Sequence, residues 1–127
     1  MFLEVEFLRR LQHIQRLGAR ITPHLFISEI RTIAADELWT SPCYKQPSVA
    51  IHFTWKPDWE SVRKALPLIE RELTPFGVRP HWGKLFTIPS AQLQKRYEKC
   101  AEFKQLVDRF DSRQKFRNEF LTSTLYA

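Results

Sequence analysis

Apolar residues change their period several times along the chain, and each change marks an element. Leu3, Phe7, Leu11, Ile14 and Leu17 recur at helical spacing, and Gly18 follows them as a stop signal. From residue 25 to 34 (LFISEIRTIA) the pattern shortens to a β-favouring run, and Ser48–Trp55 (SVAIHFTW) reads as a second strand. Between them, Ser41-Pro42 and Gln46-Pro47 mark a loop. Lys56-Pro57-Asp58 closes the second strand and places Asp58 to cap a helix striped by Val62, Leu66, Ile69 and Leu73. Pro67 falls inside that stripe, where its missing N–H and its ring predict a kink or a fresh first turn. Thr74-Pro75 ends the helix, residues 78–86 read as a third, short extended segment, and Phe103, Leu106, Val107 and Phe110 stripe a last helix. The sum is an α+β fold: a small, mainly antiparallel sheet with helices packed on one face.

Strand geometry then sorts the polar residues. Side chains alternate between faces with a period of two, so Glu29 and Arg31 point one way, as do His52 and Thr54. Ile30, Ile51 and Phe53 point the other way, where helices can cover them. If the strands pair, Glu29, Arg31, His52 and Thr54 converge on one surface, and Lys84 can join them from the third segment. An ordinary solvated face of an antiparallel sheet would show the same residue types.

Composition narrows the classes. Of the 127 residues, 43% are hydrophobic and 13% aromatic, which suits a folded domain of a length that fits one unit. Only 3 glycines occur, and neither a dinucleotide fingerprint nor a P-loop is present. Cys43 and Cys100 are too few for a disulfide framework and lack metal-ligand spacing, so a reducing, cytoplasmic setting and no metal site are expected. The N-terminus has no signal-peptide pattern, and no apolar run approaches the ~20 residues needed to span a bilayer. The net charge of +6 raises the question of nucleic acid, but acids interleave with the bases (Lys95, Arg96, Glu98, Lys99, Glu102, Lys104), as on a solvated helix face. His13 and His24 show no metal spacing, and the four tryptophans suit core and interface roles. A helical pattern that starts at Met1 without a capping residue leads to the expectation of further chain upstream.

Three motifs carry a resemblance. Ser28-Glu29-Ile30-Arg31-Thr32, followed by Ala34-Ala35-Asp36, Leu38-Trp39 and Ser41-Pro42, resembles the stretch that opens the substrate domain of bacterial alditol and xylitol oxidases. His52-Phe53-Thr54-Trp55 is similar to that family's next strand, and Arg79-Pro80-His81-Trp82-Gly83-Lys84 to a segment near its C-terminal end. The order and spacing of the three agree, and the similarity runs to about the final residue. Sugar-lactone oxidases share a related Pro-His-Trp segment; Gly83 and the Phe-Thr-Trp strand are nearer the alditol branch. Residues 111–118 (DSRQKFRN) resemble the family's closing Asp-Pro…Gly-Lys-Phe…Asn segment, with Ser112 where the family has proline and Gln114 where it has glycine.

The resemblance implies an FAD-dependent oxidase of the vanillyl-alcohol-oxidase type. Such an enzyme oxidises a terminal CH–OH of a polyol, passes hydride to the flavin, and reduces O2 to hydrogen peroxide. It implies that residues 1–127 form one C-terminal substrate-binding (cap) domain, and that the FAD-binding domain is absent from the chain. Glu29, Arg31, Thr54 and Lys84 then correspond to positions that bind polyol hydroxyls beside the flavin ring, with His52 and Lys84 also facing the cofactor. Losing hydride requires the hydroxyl proton to leave, so a base is needed; His52 is the first candidate and Glu29 the second. Arg31 and Lys84 would orient the substrate and stabilise negative charge on the reduced flavin. The isolated chain is expected to be inactive, and apolar surface left without its partner domain would favour a homo-oligomer. A lactone oxidase portion and a stand-alone basic binding module are the alternatives.

Overall fold

The two β-favouring runs pair as the alternation requires. The computed structural model describes Arg9 and residues 11–126. Strands β1 (Leu25–Ile33) and β2 (Ser48–Trp55) form an antiparallel pair, with a register irregularity between Leu25 and Ile27. Phe53 and Trp55 stack on each other and turn to one face. There they pack with Leu25 against Leu17, Ile21 and Ile69, so the helices do lie on one face of the sheet. Coverage is partial, because Ile30 on that face remains 49% exposed.

Helix α1 (Trp59–Leu73) begins where Asp58 accepts a hydrogen bond from the Ser61 N–H. Its stripe faces inward as expected: Val62, Leu66 and Ile69 are buried. Pro67 sits on the exposed side, and α1 runs through it as one helix rather than starting afresh. On the solvent side, the carbonyl that Pro67 leaves unbonded can be hydrated. A turn at Thr74–Phe76 follows, and Gly77 reverses the chain at φ 64°.

Three expectations need correction. Gly18 does not stop the N-terminal helix: residues 11–16 are helical, and after a turn at Leu17 the helical path continues over Gly18–Ile21 until Thr22-Pro23. Leu3 and Phe7 of that stripe lie outside the described residues. The third extended segment forms no strand, and the sheet has two strands among the described residues. The reason lies in its hydrogen bonds. Pro80 has no N–H to give a ladder, and the carbonyls of Val78 and Pro80 are taken by Arg96 and the Tyr97 hydroxyl. Finally, a helix absent from the sequence reading, α2 (Ser90–Lys95), precedes α3 (Cys100–Phe110).

A second core forms around α2 and α3. Leu93 is fully buried there with Ile88, Tyr97, Cys100 and Leu125, and Trp82, Phe86 and Phe103 pack around them. Burial pushes the Tyr97 hydroxyl well above its ordinary pKa. Beyond α3, the buried Asp111 carboxylate accepts the Lys115 and Phe116 N–H groups at 2.7 and 2.9 Å. Gln114 closes this turn at φ 55°, so the residue standing where the resembled family has glycine adopts the left-handed conformation that glycine takes freely. A Gln114→Gly substitution should therefore stabilise the chain by about 0.5–1 kcal/mol, read as a higher denaturant midpoint. A lower midpoint would show that the left-handed turn carries no strain.

Candidate functional site

Register decides which polar side chains meet. Glu29 pairs with His52, Arg31 with Ala50, Ile27 with Thr54 and Ile33 with Ser48, so all eight side on one face of the ladder. At its centre the Glu29 carboxylate is bridged from both sides. His52 Nδ1 lies 3.1 Å from one oxygen, and the Arg31 guanidinium donates to the other at 2.9 Å. The three side chains remain partly open to solvent, at 39% for Glu29, 66% for Arg31 and 34% for His52.

The charges explain the protonation pattern. The hydrogen bond from His52, then that from Arg31, holds the Glu29 carboxyl below its ordinary pKa. An ionised carboxylate only accepts, so Nδ1 of His52 carries the proton and Nε2 is directed away from Glu29. A depressed carboxylate stabilises the fold above its unfolded pKa, and that contribution disappears as pH falls through the lower folded value. NMR titration should thus place the Glu29 midpoint below that of an unpaired glutamate, and His52→Ala should move it upward. An unmoved midpoint would mean that the imidazole is not what holds the carboxylate ionised.

The structure brings Glu29, Arg31 and His52 together, and puts Thr54 on the same face without a hydrogen bond to them. Lys84 is different. It is exposed on an irregular segment, and among the described residues no hydrogen bond or ion pair links it to Glu29, Arg31 or His52. Its segment is nonetheless firmly placed. Arg79 donates to the carbonyls of Arg96, Pro42 and Tyr44, with its guanidinium over the Tyr97 ring. The Trp82 indole N–H donates to the Thr40 carbonyl at 2.7 Å, and its ring lies against Tyr97. Within Arg79-Pro80-His81-Trp82-Gly83-Lys84, the arginine and tryptophan fasten the segment to the loop between β1 and β2.

The sequence reading overlooked Ala50, Ile27 and Ile33, which line the same face. Alternation alone puts Ile27 and Ile33 on the face of Glu29 and Ala50 on the face of His52; the register then shows which of them stand opposite one another. His13 has a packing role: it lies 2.9 Å from the Glu72 carboxylate and edge-on to Phe76. Of the tryptophans, Trp55 and Trp82 join cores, whereas Trp59 is 52% exposed. A separate hollow of about 330 Å³ between α3 and the C-terminal turns, walled by Phe103, Val107, Phe110, Phe116, Leu121 and Tyr126, shares no residue with the sheet. No group of three His, Cys, Asp or Glu side chains placed for a metal occurs among the described residues, and no helix there is long and apolar enough to cross a membrane.

Comparison with known proteins sets this face in context. Residues 4–124 match the family model for D-arabinono-1,4-lactone oxidase. An alditol oxidase of Streptomyces sp. (strain IKD472 / FERM P-14339) is 40% identical over 115 residues, covering 91% of this chain and 28% of that protein. An L-gulono-1,4-lactone dehydrogenase of Mycobacterium tuberculosis (strain ATCC 25618 / H37Rv) is 30% identical over 114 residues, covering 88% and 26%. An L-gulonolactone oxidase of Scyliorhinus torazame is 28% identical over 104 residues, covering 80% and 24%. The chain spans about a quarter of the length of these relatives.

Proposed function

Because the chain belongs to the D-arabinono-1,4-lactone oxidase family, we propose that residues 1–127 are the substrate-binding portion of an FAD-dependent alditol oxidase, acting on a terminal CH–OH of a polyol. The observation that carries this reading is the Glu29–His52–Arg31 cluster on an open sheet face. The alditol oxidase relative, at 40% identity, supports the polyol over other alcohols. The balanced reaction converts R–CH2OH and O2 to R–CHO and H2O2.

FAD, when bound, supplies the hydride acceptor. The donor set here suits the substrate side of such a site. A polyol offers only hydroxyls, and the cluster presents a guanidinium, an imidazole and a threonine hydroxyl to meet them. His52 is assigned as the base, because its Nε2 is turned away from Glu29 and can take the hydroxyl proton. Glu29 is a poor second base: both of its oxygens are engaged and its carboxyl is held ionised. Its role is to fix the His52 ring and tautomer. Arg31 and Thr54 bind substrate hydroxyls. Lys84, exposed on the segment that Arg79 and Trp82 fasten, is assigned to orient the substrate and stabilise negative charge on the reduced flavin.

With 3 glycines and neither a dinucleotide fingerprint nor a P-loop motif in the sequence, an FAD-binding domain is the partner this reading calls for. Ile27 and Ile33, exposed beside the cluster, are apolar surface for that partner. In its absence a second copy of the chain would cover the same surface. Two unpaired, buried cysteines suit a reducing, cytoplasmic setting. The test is peroxide production with xylitol and FAD. The chain alone should give none, and the chain joined to a flavin-binding domain should give a stoichiometric yield. Peroxide from the chain alone, or none from the joined protein, would overturn the reading. A sugar lactone substrate is the second reading, favoured by the names of the Mycobacterium tuberculosis and Scyliorhinus torazame relatives; a substrate panel of polyols and lactones separates the two.

A further inference from the structure

We infer that Ala50 sets the length of polyol this site accepts, by leaving open the space on the sheet face beside Arg31. The inference rests on the polyol reading of that face. Ala50 is the register partner of Arg31, and it lies two positions from His52 on the same face. Adjacent rungs of this face are about 7 Å apart along the strands. At the Glu29–His52 rung both positions carry large side chains. At the next rung Arg31 leans back along its own strand to donate to Glu29, so its head group stands over the first rung. Ala50 contributes only a methyl group. On side-chain size alone, Ala50 is then the low point of this face, between the Arg31 stem, the His52 ring and the Ile33–Ser48 pair one rung further on.

A reacting carbon held at His52 Nε2 places the remainder of its chain along the strands. Toward Ile27–Thr54 it meets an isoleucine; toward the half-buried Ala50 it meets only a methyl group, beside the Arg31 nitrogens that do not bond Glu29. The carbons and hydroxyls beyond the reacting end therefore lie over Ala50, and Ile33 limits how far they extend. A side chain larger than methyl at position 50 fills the volume needed by pentitols and hexitols more than that needed by the three-carbon glycerol.

The test uses the flavin-containing protein and the ratio of kcat/KM for xylitol to that for glycerol. Ala50→Leu should lower this ratio about tenfold or more, and Ala50→Val by less. Ala50→Ser, nearly isosteric, should leave it close to the starting value. In the isolated chain, the Glu29 titration midpoint reports whether each variant keeps the cluster intact. A ratio unchanged in Ala50→Leu and Ala50→Val, with that midpoint preserved, overturns the inference while the polyol reading stands. A starting protein that oxidises lactones and no polyol overturns the reading itself, and the inference with it.

Discussion

Replacing His52 with glutamine in the flavin-containing protein should lower kcat for xylitol by about 10²–10⁴-fold, the range that a positioned general base contributes. Glutamine is close to histidine in reach and polarity, but no nitrogen of it can take a proton at neutral pH. Glu29→Gln should also lower kcat, by a smaller factor. The amide cannot hold the Nδ1 proton as the carboxylate does, so the His52 tautomer is no longer fixed. The two variants separate the roles by their pH dependence: His52→Gln removes the proton acceptor, whereas Glu29→Gln leaves it in place but misoriented. Turnover within about threefold of the starting protein in His52→Gln would remove His52 as the base.

The largest effect on stability is expected from Arg79→Met. Arg79 joins three parts of the chain, reaching the carbonyls of Arg96, Pro42 and Tyr44 while its plane covers Tyr97. Methionine keeps much of the apolar stem and leaves those carbonyls without their cationic donor. Charge-assisted hydrogen bonds contribute about 1.5–3 kcal/mol, so a loss of about 3 kcal/mol is expected for the set. For a chain of this size that corresponds to a fall in Tm of roughly 12 °C. Arg79→Lys should recover little of it, because a single ammonium cannot reproduce the planar fork. If Arg79→Met melted with the starting protein, the loop between β1 and β2 would have to be held by other contacts, and the motif would need a different explanation.

Much of the candidate site was legible before any fold was known. Glu29 and Arg31, two apart on a strand, must share a face, and so must His52 and Thr54; period-two alternation is a property of the backbone alone. The resemblance added the chemistry proposed for that face. Lys84 was less legible. Its segment alternates like a strand, yet the carbonyls a strand would pair with a neighbour are taken by Arg96 and Tyr97, residues that follow Lys84 by 12 and 13 positions. Helix α2 escaped notice because six residues show little periodicity. Leu93 is buried within it because the C-terminal turns fold back over it, which is a tertiary event.

The sequence by itself determined the two strands, the Asp58 cap, the inward stripe of α1 and the sidedness of the polar residues. Each of these depends on interactions within a few residues, where backbone geometry leaves few options. Only the tertiary structure decided that Glu29 meets His52 rather than Ala50, that Arg31 leans onto Glu29, and that Arg79 and Trp82 serve as fasteners. Apart from the Arg31–Glu29 bond, those outcomes depend on register and on contacts between residues 17 to 42 positions apart, such as Glu29 and His52 at 23 and Trp82 and Thr40 at 42. Sliding one strand by a single residue would break the Glu29–His52 pairing while leaving each local pattern intact.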